Sequence, residues 1–200
     1  MNTQTHMLMG AVLYGRLIPK RIWAGLSGGL MPDLPMYIII AALKYRGVSS
    51  DRIFGQYFYA DWWQIANAIG HSFIIWAGLL VLGLVSQRRF PKGIWPEFLS
   101  VASASALTHS AIDFLCHRHD AHMHFWPLSR WKFVSPVSYY DPEHFGVYFS
   151  FAEAALGIVM AGYLYRKFQN TGARFALGVA ICTYFAIPLA FLLMTGMDHE

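Results

Sequence analysis

An all-α, multi-spanning membrane bundle is the fold class this sequence predicts, and three observations predict it. Of its 200 residues, 56% are hydrophobic, 16% aromatic and only 13% charged, a balance far from that of a soluble globular domain. The apolar residues gather into runs long enough to cross a hydrocarbon core that needs about 20 helical residues. Between the runs the cations stand in compact turns. Arg16 to Arg21, Arg88 to Lys92 and Arg166 to Arg174 hold nine of the fifteen Lys and Arg and no acid, the pattern of short cytoplasmic loops.

The same features exclude other classes. The net charge of +4 lies in small clumps rather than along one face, so a nucleic-acid partner is not expected and the lipid bilayer is. No basic region precedes the first apolar run, which argues against a cleaved signal peptide. Two cysteines, Cys116 and Cys182, are too few for a disulfide framework and fall near opposite ends of their helices, so they are expected unpaired. Residues 1–200 read as one integral-membrane helical domain.

In chain order, His6 to Leu17 is apolar but too short to span, and reads as a buried or re-entrant helix. Ile22 to Tyr45 is long enough, yet Gly28-Gly29 and the run Met31-Pro-Asp33-Leu-Pro35 break it. Lipid tolerates a broken helix only where it lines a protein-buried or wet cavity. Arg46 to Trp63 is a loop carrying an aromatic belt. Gln64 to Ser86 is the cleanest spanning helix, with His71 about two turns in. Glu97 to Cys116 is the fourth segment, followed by a long polar and aromatic loop from His117 to His144. Asp141-Pro142-Glu143 reads as an N-cap with proline in the first turn, starting a helix that runs to about Tyr165. Phe175 to Thr195 is the last span, with a kink expected at Pro188. The bundle therefore has about four full spans, a short N-terminal helix and a broken second helix.

Helix rises of about 1.5 Å per residue turn that topology into a depth argument. His6, Asp33, His71, His109 and Asp113 arrive from four segments at one depth, toward the outer face. His109 and Asp113, one turn apart, share a helix face. A carboxylate inside a bilayer is costly unless paired or metal-bound, which makes Asp33, Asp113 and Glu153 candidates. Three histidines with two aspartates suit zinc, two or more ions, with manganese or iron as alternatives. Such ions polarise a phosphoryl oxygen and activate water. Asp33 would be the residue that orients or deprotonates that water, and Arg118 or Arg130 would hold a phosphate. His117, His122, His144 and Glu153 are further candidates from the loop and the helix after it. Each signal also has a plain structural reading: His71 as a hydrogen-bonded core histidine, Asp33 as a helix cap, and the loop histidines as a solvated interface.

Several short motifs carry a family resemblance: Thr5-His6, Gly28-Gly-Leu-Met-Pro-Asp33, Gly70-His71-Ser72, Leu107-Thr-His109-Ser-Ala-Ile-Asp113 and Phe125-Trp-Pro-Leu-Ser129. In order and context, over about residues 5 to 145, they resemble the LexA-regulated, inner-membrane-associated, metal-dependent hydrolases, the YdjM-like family. That family is in turn similar to zinc-dependent phospholipase C, a helical enzyme with a zinc cluster. The resemblance implies a multi-pass protein of the inner (plasma) membrane. It makes His6, Asp33, His71, His109 and Asp113 metal ligands, Asp113 bridging two sites, and His119 a further ligand. It departs where a later histidine should be followed four residues on by glutamate: His144 is followed by Tyr148, and the nearest acid is Glu153. The reaction expected is hydrolysis of a phosphoester, with a phospholipid head group as the substrate within reach. Two other classes stay open, a non-catalytic metal-binding membrane protein and a b-type haem protein with His71 and His109 as axial ligands.

Overall fold

Small residues let the first helices of this chain touch at the backbone. The structure, a computed structural model, describes residues 1–197, excepting the side chains of 187, 188 and 190–197. His199 lies outside the described residues, as does the side chain of Pro188, where a kink was expected. The helices are α1 (Thr3–Gly15), α2 (Pro19–Leu30), α3 (Leu34–Tyr45), α4 (Ser50–Gly55), α5 (Asp61–His71), α6 (Phe73–Arg89), α7 (Ile94–Cys116), α8 (Gly146–Lys167) and α9 (Thr171–Met197). Single 3-10 turns stand at Tyr57–Tyr59 and Pro142–His144, and no strand occurs among the described residues. The all-α membrane class is thus the observed one.

Among the described residues three stretches are long and apolar enough to cross a membrane: Asp61–Arg89, Ile94–Cys116 and Gly146–Lys167. The pair α2 and α3, bent by 62° at the break, passes the same test only when the two helices are taken together, as a broken span or a re-entrant pair does. The break falls at Met31 to Asp33, where Pro32 and Pro35 cannot donate to the helical ladder.

At the centre, α2 is wedged between α1 and α7. A Cβ built on Gly28 would stand 2.1 Å from the Ala102 carbonyl oxygen of α7, and one on Gly29 would stand 2.5 Å from the His6 carbonyl oxygen of α1. Only glycine allows such an approach, the usual device for packing helices without a hydrophobic driving force between them. Side chains then pin the contacts. Ser105 donates to the Gly25 carbonyl at 2.7 Å, Arg21 donates to Glu97 at 2.6 Å, and Lys20 pairs with the same carboxylate. An apolar core of Leu8, Ala11, Ile22, Ala161, Leu164 and Tyr184 joins α1 and α2 to α8 and α9.

Two expectations change. The span expected from Gln64 to Ser86 is two helices, because Ser72 is extended (φ −70°, ψ 119°) and its hydroxyl accepts from the Ile75 N–H as the cap of α6. Backbone from the 117–145 loop takes up the freed groups: Phe73 N donates to His124 O at 2.9 Å, and the Ser72 hydroxyl donates to Trp126 O at 2.5 Å. His71 is therefore the last residue of α5. The second change is at Asp141, which caps only the 3-10 turn by accepting from Glu143 N. Phe145 is left-handed (φ 66°), and α8 begins at Gly146. The loop of 46–63 also holds a helix of its own, α4, capped by the Ser49 hydroxyl.

Candidate metal centre

α7 supplies most of the site. His109, Cys116 and, just past the helix end, His117 stand four before, three after and four after Asp113, spacings that bring each of them beside that carboxylate. His6 comes from α1, Asp33 from the break between α2 and α3, and His71 from the end of α5. His6, His71, His109 and Asp113 are almost fully buried, and Asp33 is 8% exposed.

The two oxygens of Asp113 face different neighbours. Oδ2 lies 2.9 Å from His109 Nε2 and 3.5 Å from His71 Nε2. Asp33 Oδ1 completes that group at 3.4 Å from His71 Nε2 and 3.6 Å from His109 Nε2. Oδ1 of Asp113 lies 2.9 Å from His6 Nε2, 3.4 Å from His117 Nε2 and 3.9 Å from Cys116 Sγ. The Met1 backbone nitrogen sits on the same side, 3.0 Å from Oδ1. Two buried donor groups thus share one carboxylate: Asp33, His71, His109 and Asp113, and beside it Asp113, Cys116 and His117, the donor atoms in each lying within 4.8 Å of one another.

The imidazoles are oriented from behind. His71 Nδ1 donates to Asn67 O at 3.0 Å and His109 Nδ1 donates to Gly29 O at 2.8 Å. That selects the tautomer whose bare Nε2 points inward, and neither Nε2 has a hydrogen-bond partner among the described residues. A buried acceptor without a partner costs about 1–3 kcal/mol, and a cation between these atoms and the carboxylates would remove that cost. The donor set therefore fits a metal ion.

Beyond α7 the loop folds back over the site. His122 stacks on His71 with centroids 3.9 Å apart, and His6 stacks on His109 at 3.5 Å. Burial holds His122 well below the ordinary imidazole range and pushes His124 to about 4. Burial also works to lower His117, yet Asp113 and Asp120 hold it above that range. The stacked rings occupy the flanks of His71 and His109, whose own centroids are 5.3 Å apart. That spacing leaves no slot for a porphyrin, so the b-type haem arrangement does not fit this geometry.

A cavity of about 580 Å³ opens onto the group. Asp33, His71, Asp113 and His117 line its polar end, and Met36, Ile40, Phe54 and Phe58 line an apolar wall.

Other expected residues stand elsewhere. His119, with its side chain 60% exposed, faces Asp141 at 3.4 Å, and His144 Nδ1 donates to that same carboxylate at 2.7 Å. These three form a separate group near the surface, because the chain turns at His117 and carries His119 outward. Glu153 is buried but engaged by chain groups, accepting from Asn2 N and the Thr5 hydroxyl, both at 2.7 Å. Arg118 donates to Ser135 O at 3.2 Å, and Arg130 pairs with Asp61 at 3.0 Å on the exposed surface. Neither arginine lines the cavity, since both are held on the outer side of the loop. An exposed pair contributes little, so Arg130→Ala should leave metal content unchanged and stability within about 0.5 kcal/mol, read by melting the detergent-solubilised protein.

Sequence reasoning passed over Cys116, although its position three residues after Asp113 was a readable signal. It also passed over Asn67, whose backbone carbonyl anchors His71, and Thr3, whose hydroxyl donates to Asp33 Oδ2 at 2.5 Å. The motif spacing of those two carried no such signal.

No curated protein and no solved structure matches the chain. A family model does, the YdjM inner membrane protein model, over residues 1–196. With apolar helices long enough to cross a bilayer and a match covering almost its whole length, this chain belongs to the YdjM inner membrane protein family.

Proposed function

We propose that this chain, as one multi-pass membrane domain, is a metal-dependent hydrolase of a phosphoester, with zinc as its metal. The observation that carries the reading is the shared carboxylate: Asp113 turns one oxygen to His71 and His109 and the other to His6 and His117, the arrangement a carboxylate bridging two ions requires. Nitrogen and carboxylate donors together favour zinc over magnesium or calcium. His6, Asp33, His71, His109 and Asp113 are the proposed ligands. Zinc bound there would polarise a phosphoryl oxygen and activate water near neutral pH.

The chain's own residues supply the rest. Asp33 stands at the cavity edge, where Oδ1 faces the imidazoles as a ligand. Its Oδ2, which accepts from the Thr3 hydroxyl, keeps a lone pair to orient the attacking water and take its proton. The apolar wall from α3 and α4 limits solvent access and suits the acyl end of an amphiphile, which supports a phospholipid as substrate. The basic turns stand at the far ends of α1, α6 and α7 from the site, which supports a site opening toward the outer face.

The test is metal content by mass spectrometry together with turnover of bis(p-nitrophenyl) phosphate and of phospholipid in mixed micelles. Wild-type protein should carry zinc and turn over, and Asp33→Asn, whose amide oxygen can still ligate in place of Oδ1, should lose about 10²–10⁴-fold in kcat while retaining most of its metal. Wild-type protein that holds zinc but hydrolyses nothing would instead be a non-catalytic metal-binding protein.

A further inference from the structure

We infer that Asp113, Cys116 and His117 form a second metal position in which Cys116 binds as a thiolate, giving the centre a sulfur ligand that neither the motifs nor the family resemblance assigns. The inference rests on the reading that the buried cluster holds metal. Cys116 is 1% exposed, and its Sγ lies 3.9 Å from the same Asp113 oxygen that His117 Nε2 approaches to 3.4 Å. The spacing explains the convergence: positions i, i+3 and i+4 at the end of α7 share one face. His117 is also braced from outside, its Nδ1 lying 2.8 Å from the Asp120 carboxylate. A carboxylate behind a ligating imidazole is the usual support for a metal-bound histidine. The Met1 amino nitrogen stands among these three, 3.0 Å from Asp113 Oδ1, 3.3 Å from Cys116 Sγ and 3.5 Å from His117 Nε2, so an entering ion displaces it or takes it as a donor. His6 Nε2, 2.9 Å from that Asp113 oxygen, is the other neighbouring donor.

A disulfide is not the alternative use of this sulfur. Cys182 is exposed on α9, and both cysteines are free. One sulfur, one or two imidazoles and a carboxylate select zinc, cobalt or cadmium and disfavour magnesium, calcium and manganese. On binding, the thiol proton passes to solvent and the sulfur enters as thiolate.

Cobalt makes the sulfur visible. The full-length protein in detergent is stripped of metal, titrated with Co²⁺ and followed for the thiolate-to-cobalt charge-transfer band, with bound cobalt counted by mass spectrometry. The band is expected in wild type and in Cys182→Ser. Cys116→Ser, nearly the same size, should lose it and bind about one equivalent less cobalt. A wild type that binds cobalt without the band, or a band that persists in Cys116→Ser, overturns the sulfur ligand and leaves the histidine and aspartate centre standing. A wild type that binds no cobalt or zinc overturns both. Because the wild-type spectrum alone can reject the proposal, it stays testable even if the serine variant does not fold.

Discussion

Asp113→Asn is expected to empty the metal centre. The side chain keeps its shape but loses its charge and one acceptor oxygen, while four imidazoles remain within 3.5 Å of where its oxygens stand, at His6, His71, His109 and His117. Under the proposed bridging role both positions lose their common ligand, so zinc content should fall below about a tenth of wild type. That corresponds to an affinity loss of about 100-fold or more, about 2.7 kcal/mol. Metal analysis of both proteins purified side by side measures it, with Asp61→Asn at the surface as the control. Metal retained at the wild-type level in Asp113→Asn would remove the shared carboxylate from the mechanism.

Gly29→Ala should damage fold and site together. Its new methyl would stand 2.5 Å from His6 O and 2.6 Å from Met7 Cα, and both are backbone atoms, with no side chain able to rotate away. α1 or α2 must shift. That moves His6 directly, and moves His109 through its bond to the Gly29 carbonyl. Overpacking of this kind costs about 1–3 kcal/mol, or roughly 2–12 °C in melting temperature for a chain this long. Metal content should fall with it. Gly55→Ala in α4 has open space around the added methyl and should leave both unchanged. A Gly29→Ala protein with wild-type melting and metal would mean the helices can separate there without consequence.

The fold class was legible because a bilayer imposes length and composition on whatever crosses it. The broken second helix was legible for a similar reason, since Pro32 and Pro35 remove ladder donors whatever surrounds them. The break at Ser72 was not. Nothing local forbids a helix through Gly70-His71-Ser72, and the interruption stands because carbonyls of His124 and Trp126, more than fifty residues away, accept the groups it frees. The expected start of α8 at Asp141 failed likewise, through a left-handed Phe145 that capping signals do not reveal. His109 and Asp113 could be paired from their spacing alone. His119 looked equal to His117 and His122 in sequence, yet the chain's turn at His117 sends it to the surface.

By itself, the sequence determined that the chain is a membrane helix bundle and which acids and imidazoles its helices carry to one depth, because hydropathy, proline and helical period act locally. Tertiary structure alone decided which nitrogen of each histidine faces inward and that Asp113 divides its oxygens between two groups. It also decided that Cys116 joins them while Arg118 and Arg130 do not. Those outcomes depend on where distant backbone carbonyls lie and how closely glycines let helices approach, and no stretch of the chain encodes either on its own.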